Sequence, residues 1–333
     1  LKAAGKRTVF DIDDYLLEPP EYLSVYDHCI ALRPNLEAML RKVDAVSAST
    51  LPLVEKLKPY NSNVFHTPNY AWTSNPPVTQ NNPDNADLPV RILVASSDSV
   101  RVDFLVPALQ QIQRDFEVEL VGIGPPGDYL RSVGLAIDTL PLLSHEEFKA
   151  YAASRDNTIA LIPLDSNDFN ACKSAVKYFD YALAGVPCIC SGYEPYLSAV
   201  EQSVTGALCP NITEWWVQAV SAYLESPLLR QEYAEAARTR VLTAHNLNIT
   251  AGAWHSLFDK TRFLGGDPLE RENEGVKAPQ NDQNLAFPPQ RSKAELIRGT
   301  LRHIVKPASW VSVWRIYKNE GLAGIREKWK LVF

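Results

Sequence analysis

The sequence predicts an α/β protein built on a parallel sheet with helices on both faces. Three observations carry that expectation. Short apolar runs alternate with helical stretches throughout residues 89–260. The runs are continuous Val, Ile, Leu and Ala rather than apolar and polar in turn, the pattern of strands covered on both sides. Polar stretches rich in Pro and Asn or Gly, at 76–88 and 263–290, set this alternation apart from its flanks. A doubly wound, Rossmann-like domain follows.

The elements are justified in order. Residues 1–75 carry the apolar runs Thr8–Ile12, Ala45–Ala48 and Val64–His66, separated by helical stretches at Leu36–Val43 and Leu51–Leu57. They are expected to form a partial amino-terminal α/β domain, joined by the 76–88 linker (Pro76, Pro77, Pro83, Asn85) to the main domain at 89–262. There the predicted strands are Val90–Ala95, Val118–Gly122, Thr158–Pro163, Pro187–Ser191 and Gly206–Pro210. The predicted helices are Phe104–Phe116, Glu146–Ala153, Lys173–Ala184, Glu214–Leu224 and Leu229–Ala244, with a short one near Pro195–Gln202. After the 263–290 linker, residues 291–333 read as a helical tail interrupted at Pro307 and loosened at Gly321 and Gly324.

Composition narrows the function. With 46% hydrophobic and 22% charged residues among 333, a sizeable core is expected and global disorder is excluded. No apolar run approaches the ~18 residues of a bilayer span. The first residues, Leu1 to Arg7, are charged but lead into no apolar stretch, so they do not read as a secretory signal; without an initiator Met the chain reads as a segment of something longer. A net charge of −6 argues against a general nucleic-acid binder. The charge is uneven, because residues 291–333 hold ten Lys or Arg against three acids. That tail is either a solvated helix face or a contact for an anionic surface, such as a membrane leaflet, or a neighbouring domain. Five scattered cysteines do not make a disulfide framework; buried thiols in a reducing, cytoplasmic compartment are expected, with peripheral attachment to the inner membrane face through the tail as a further option.

The segment Asn170-Ala171-Cys172-Lys173-Ser174-Ala175-Val176-Lys177-Tyr178-Phe179-Asp180 links two predicted strands. On one continuous helix, Lys173, Lys177 and Asp180 fall within about 60° of one another, and Val176, Phe179 and Leu183 form a separate apolar stripe. Two cations and a carboxylate would then project from the carboxyl edge of a parallel sheet, where ligands bind in open α/β folds. A helix start adds free N–H groups and positive dipole, which suit a phosphate, and Ser174 and Asn170 add neutral donors. The same residues could equally be a solvated face with a Lys177–Asp180 pair.

Asn170-x-x-Lys173-Ser174-x-x-Lys177-x-x-Asp180-Tyr181-Ala182-x-Ala184-Gly185-Val186-Pro187 resembles the nucleotide-sugar site of the GT-B glycosyltransferases, in particular the "glycosyl transferases group 1" set (family 4-like) of bacterial surface polysaccharide synthesis. Weaker likenesses extend the resemblance over roughly residues 5–262, among them Val121-Gly122-x-Gly124 and Val9-Phe10-Asp11-Ile12-Asp13-Asp14. The resemblance implies a GT-B-type donor domain at 89–262 and an enzyme of the hexosyltransferase kind. Such an enzyme moves a sugar from a nucleoside-diphosphate sugar to a glycan or lipid-linked acceptor, with no resident cofactor and no metal. It implies Asp180 on the ribose, and Lys173, Ser174, Lys177, Asn170 and Arg101 around the diphosphate. The base would lie near Gly122, Gly124, Leu143 and His145. The catalytic group stays unassigned.

Two departures stand out. The first acid of the group's Glu-x7-Glu motif falls at Cys172, and the second is the shorter Asp180. Residues 1–75 are also about half of an ordinary amino-terminal GT-B half. A non-catalytic nucleotide-sugar-binding module is therefore the alternative reading.

Other signals are weaker. Gly122-Ile123-Gly124-Pro125-Pro126-Gly127 matches a dinucleotide fingerprint, yet two prolines are awkward where that fingerprint needs a helix to open, and the strand is not the first of its series. Asp11, Asp13 and Asp14 lack the glycine and the distant Glu of a calcium loop and read as a turn or a cleft contact. Ser144 is an apt N-cap for a helix beginning at His145.

Overall fold

In the computed structural model, residues 7–71, 88–97, 102–155 and 157–261 are described. Arg101, most of the first linker, the second linker and the basic tail lie outside the described residues.

The first sheet is small. Strands β1 (Val9–Ile12), β2 (Ala45–Ala48) and β3 (Val64–His66) lie parallel in that order, linked by helices α1 (Tyr26–Lys42) and α2 (Leu51–Leu57). Ile12, Leu40, Val46, Leu53 and Leu57 form its core. Helix α1 starts ten residues before the Leu36 expected from sequence and runs through Pro34, a residue that costs a helix interior about 3 kcal/mol. Pro34 lies on the exposed side of α1, and the inward Leu40 and the half-buried Leu36 hold the helix to the sheet.

The second sheet has six parallel strands: β4 (Val90–Ala95), β5 (Val118–Ile123), β6 (Asp138–Leu140), β7 (Thr158–Ile162), β8 (Cys188–Ser191) and β9 (Ala207–Cys209). Their spatial order is β6-β5-β4-β7-β8-β9. Counted from β4 this is 3-2-1-4-5-6, the Rossmann order, and it reverses between β4 and β7. Because strand side chains alternate, each apolar run feeds two cores. Ile92, Val94, Ile159, Leu161 and Ile189 face the layer that includes α3 (Leu105–Asp115), α4 (Pro125–Ser132) and α9 (Thr213–Glu225). Leu93, Ala160, Ile162, Cys188 and Cys190 face the other, which includes α5 (His145–Ala152), α7 (Val176–Leu183) and α10 (Pro227–Ala244). Burial pushes the thiols of Cys188, Cys190 and Cys209 well up.

Further elements differ from the sequence expectation, among them α11 (Leu247–Lys260), which has no predicted counterpart. Helix α4 opens directly after Gly124, with Pro125 and Pro126 in its first turn, where their missing N–H groups cost nothing. The prolines are therefore compatible with a helix opening at that turn. Strand β6 is only three residues long and has no counterpart among the predicted strands. The expected single helix from Lys173 to Ala184 is broken: a short α6 spans Asp168–Ala171, residues 172–175 form a turn, and α7 begins at Val176. Val176 is exposed rather than part of the apolar stripe, whereas Phe179 and Leu183 are buried as that stripe requires.

The α6 region docks on the small sheet. Phe169 and Cys172 belong to the small core, the Thr50 hydroxyl donates to the Cys172 carbonyl at 2.8 Å, and Lys56 pairs with Asp168. On the other side of the cleft, the segment after β3 meets the end of α10. The Ala71 N–H donates to the His245 carbonyl at 3.0 Å, and the Thr250 hydroxyl of α11 (Leu247–Lys260) donates to the Pro68 carbonyl at 2.8 Å.

Candidate active site

A cavity of about 280 Å³ opens where the strand order reverses. Ser96 and Ser97 follow β4, Leu164 follows β7, and Asp13 and Asp14 approach from the end of β1. The β7 loop is pinned by hydrogen bonds: the Leu164 N–H donates to Ser191 Oγ at 2.8 Å, Ser191 donates to Asn211, and Asn211 Nδ2 returns to the Leu164 carbonyl at 2.9 Å.

Lys177 stands in the first turn of α7 and its Nζ donates to Ser96 Oγ at 2.8 Å, crossing the switch point. Lys173 lies in the preceding turn, 3.5 Å from Asp14 Oδ1 and 4.7 Å from the centre of the Phe169 ring. Two cations and two carboxylates thus share the cavity wall. Ser174 Oγ is buried in that wall with no hydrogen-bond partner among the described residues, a costly state for a hydroxyl and one that a polar ligand atom would relieve. Asn170 also lines the cavity, but its amide protons go to Tyr22 Oη at 2.9 Å and to the Asp165 carbonyl at 3.0 Å.

Asp180 does not line this cavity, although the helical projection grouped it with both lysines. Lys173 precedes α7 and so is not on the same helix as Asp180, while Lys177 and Asp180 share α7 but engage different partners, Ser96 and His145. Asp180 Oδ2 instead meets His145 Nε2 at 2.9 Å, with the aspartate side chain only 11% exposed. Burial pushes its carboxyl above the ordinary range, and the hydrogen bond from His145 works against that rise. Ser144 caps α5 as expected: its hydroxyl accepts from the Glu147 N–H at 3.4 Å while the Ser144 N–H donates to Glu147 Oε2 at 2.8 Å. Leu143 is partly buried against the core.

The glycines after β5 are committed to the chain itself. A Cβ on Gly122 would stand 2.2 Å from the Gly127 Cα, so the pair packs α4 onto β5. Gly124 has φ +74°, and a Cβ there would meet the Ser96 carbonyl at 2.5 Å. Gly124 therefore lets the β5 turn crowd against the end of β4, beside the serine that Lys177 holds.

Cys172, where the resembled motif carries its first acid, points into the small core. It is fully buried, and burial raises its thiol to about 11. The acidic turn after β1 also divides. Asp11 accepts from the Ser47 hydroxyl of the neighbouring strand, while Asp13 and Asp14 reach the cavity. Among the described residues, no group of three or more His, Cys, Asp and Glu could hold a metal ion.

A second cavity of about 160 Å³ shares Lys173, Ser174 and Asn69 with the first. It brings together His66 of β3, Glu194 and His245, which sequence spacing did not associate. Glu194 accepts from the Ser198 N–H at 3.2 Å and hydroxyl at 2.8 Å. His245 stacks on Phe179 at 4.9 Å and meets Tyr70 edge-on at 4.8 Å. Both its ring nitrogens are buried without a hydrogen-bond partner among the described residues, and burial lowers the pKa of His245 and of His66. Neutral imidazoles follow near pH 7.

This architecture is that of the GT-B glycosyltransferases, by likeness to solved structures. HepE from Anabaena, solved in complex with UDP-glucose, superposes with a TM-score of 0.60 at 15% identity over 77% of this chain and 73% of its own. TarM from S. aureus, solved as a point mutant with fondaparinux, α-GlcNAc-glycerol and UDP, gives 0.55 at 11% identity over 76% of this chain and 51% of its own. Sucrose-phosphate synthase from Thermosynechococcus elongatus gives 0.54 at 18% identity over 68% and 60%. The chain thus spans about half the length of TarM. No family model matches the chain, and no curated protein matches it. Among the described residues no helix is long and apolar enough to cross a membrane.

Proposed function

We propose that this chain is a glycosyltransferase that binds a nucleoside-diphosphate sugar at the β4/β7 edge and passes the sugar to a hydroxyl of a glycan or lipid-linked acceptor. The observation that carries the reading is Lys177 reaching across the switch point to Ser96, with Lys173 and the unpartnered Ser174 hydroxyl beside it. Fixed cations and a helix start stabilise charge that develops on a leaving diphosphate. Lys173, Ser174 and Lys177 take the diphosphate, and Asp180 the ribose. Asn170 fixes the loop through Tyr22. Asp13 and Asp14 stand on the acceptor side, where a carboxylate could take the proton of the attacking hydroxyl. The second cavity, with its aromatic wall and polar rim, suits the sugar rings. UDP or a UDP-sugar in the HepE and TarM structures supports a uridine donor as the first to try. Polysaccharide synthesis of the O-antigen kind at the cytoplasmic face, with the basic tail at the membrane or on a neighbouring domain, completes the reading.

The buried Cys172 favours a second reading, a module that binds the nucleotide sugar without transferring it. A carboxylate that could reach a sugar hydroxyl is replaced there by a core side chain. The test is turnover: release of nucleoside diphosphate from UDP-glucose or UDP-GlcNAc with a lipid-linked or glycan acceptor, in wild type and Asp13→Asn. Acceptor-dependent release that falls at least tenfold in the variant supports the enzyme. Tight nucleotide-sugar binding without release under any acceptor supports the module.

A further inference from the structure

Asp180 and His145 approach each other from two helices with unequal freedom. The aspartate is 11% exposed in its side chain, while the histidine is 57% exposed and sits in the first turn of α5. The Ser144–Glu147 capping box fixes where α5 begins, so the backbone of His145 is anchored while its imidazole faces solvent. A carboxylate this enclosed offers little open surface, and one of its two oxygens is already held by the imidazole.

We propose that His145 is a gate on the ribose carboxylate: its imidazole occupies Asp180, and a nucleotide gains Asp180 only by displacing it with the ribose 2′ and 3′ hydroxyls. The inference rests on the nucleotide reading above and adds a regulator to that site. The exchange is one of hydrogen bonds, with no covalent step. The imidazole donates one hydrogen bond to the carboxylate, where two ribose hydroxyls would donate two. The neighbouring charges are engaged elsewhere: on α5, Lys149 and Glu146 pair with each other at 2.6 Å, and on α7, Lys177 turns to Ser96.

The test compares UDP, GDP and 2′,3′-dideoxy-UDP by calorimetric titration on wild type, His145→Ala and His145→Gln. His145→Ala is expected to bind UDP about three- to tenfold more tightly than wild type, while dideoxy-UDP binds both alike. His145→Gln, which keeps a donor, should stay close to wild type. Equal or weaker UDP binding by His145→Ala overturns the gate and makes His145 a supporting contact. If UDP and GDP bind none of the three proteins, the nucleotide reading falls and takes the gate with it.

Discussion

At the scale of residues, Lys177 matters most because it joins the two halves of the switch point. Lys177→Ala should weaken nucleoside diphosphate binding about ten- to a hundredfold, as expected for losing a charge-assisted hydrogen bond, with little change in melting temperature. Titration and a thermal melt on the same sample check both halves of that expectation. Gly124→Ala should cost about 1–3 kcal/mol, since it forces a side chain onto a left-handed backbone and against the Ser96 carbonyl. Urea unfolding measures it. Asp180 carries the opposite sign. Burial raises its pKa, so folding favours the protonated form; that contribution is complete below the unfolded-state value and is lost as pH rises through the folded value. At pH 7 the ionised Asp180 is therefore a net cost. Asp180→Asn should raise the melting temperature by up to about 1–2 °C at pH 7, the shift that about 1 kcal/mol gives a protein of this size, while abolishing ribose recognition. A lower melting temperature would show that the His145 bond outweighs the burial cost.

At the scale of elements, the decisive feature is the break between α6 and α7. It sends Cys172 into the small core and leaves Lys173 and Ser174 in the cavity wall. Cys172→Glu restores the acid of the resembled motif on paper, but it would bury a carboxylate in an apolar core. It should cost several kcal/mol and yield little soluble protein rather than a better enzyme. The link on the far side of the cleft predicts a pH effect. Burial lowers the pKa of His245, so its contribution to stability is kept at neutral pH and lost as pH falls below the ordinary imidazole value of 6.5. His245→Phe, which keeps the ring stack on Phe179, should flatten the pH dependence of the melting temperature between pH 7 and 5. An unchanged slope would assign that dependence to other groups.

For the whole molecule, the parallel sheet was readable because each strand is a continuous apolar run, and continuity is what two-sided burial demands. The cavity-lining Lys173, Ser174 and Lys177 were readable for a local reason: they lie within five residues of one another, in the connection between β7 and β8. The rest depended on tertiary contacts without local signature. His145 and Asp180 meet across 35 residues, and His66 and His245 come together only through the crossover of α10. The turn at 172–175 replaced a projected helix because Phe169 and Cys172 are drawn into another core, which no periodicity within the segment reveals. The Pro125-Pro126 pair looked like a helix breaker and is instead a helix start, a distinction set by which turn it occupies. The account stands on one site at the β4/β7 edge. The measurement that tests it most directly is calorimetric titration of UDP, GDP and dTDP into wild type, Lys173→Ala and Lys177→Ala. Binding of one of the three by wild type, weakened at least tenfold in both variants, is the predicted result. A well-folded wild type that binds none of them, or binding indifferent to both lysines, would contradict it.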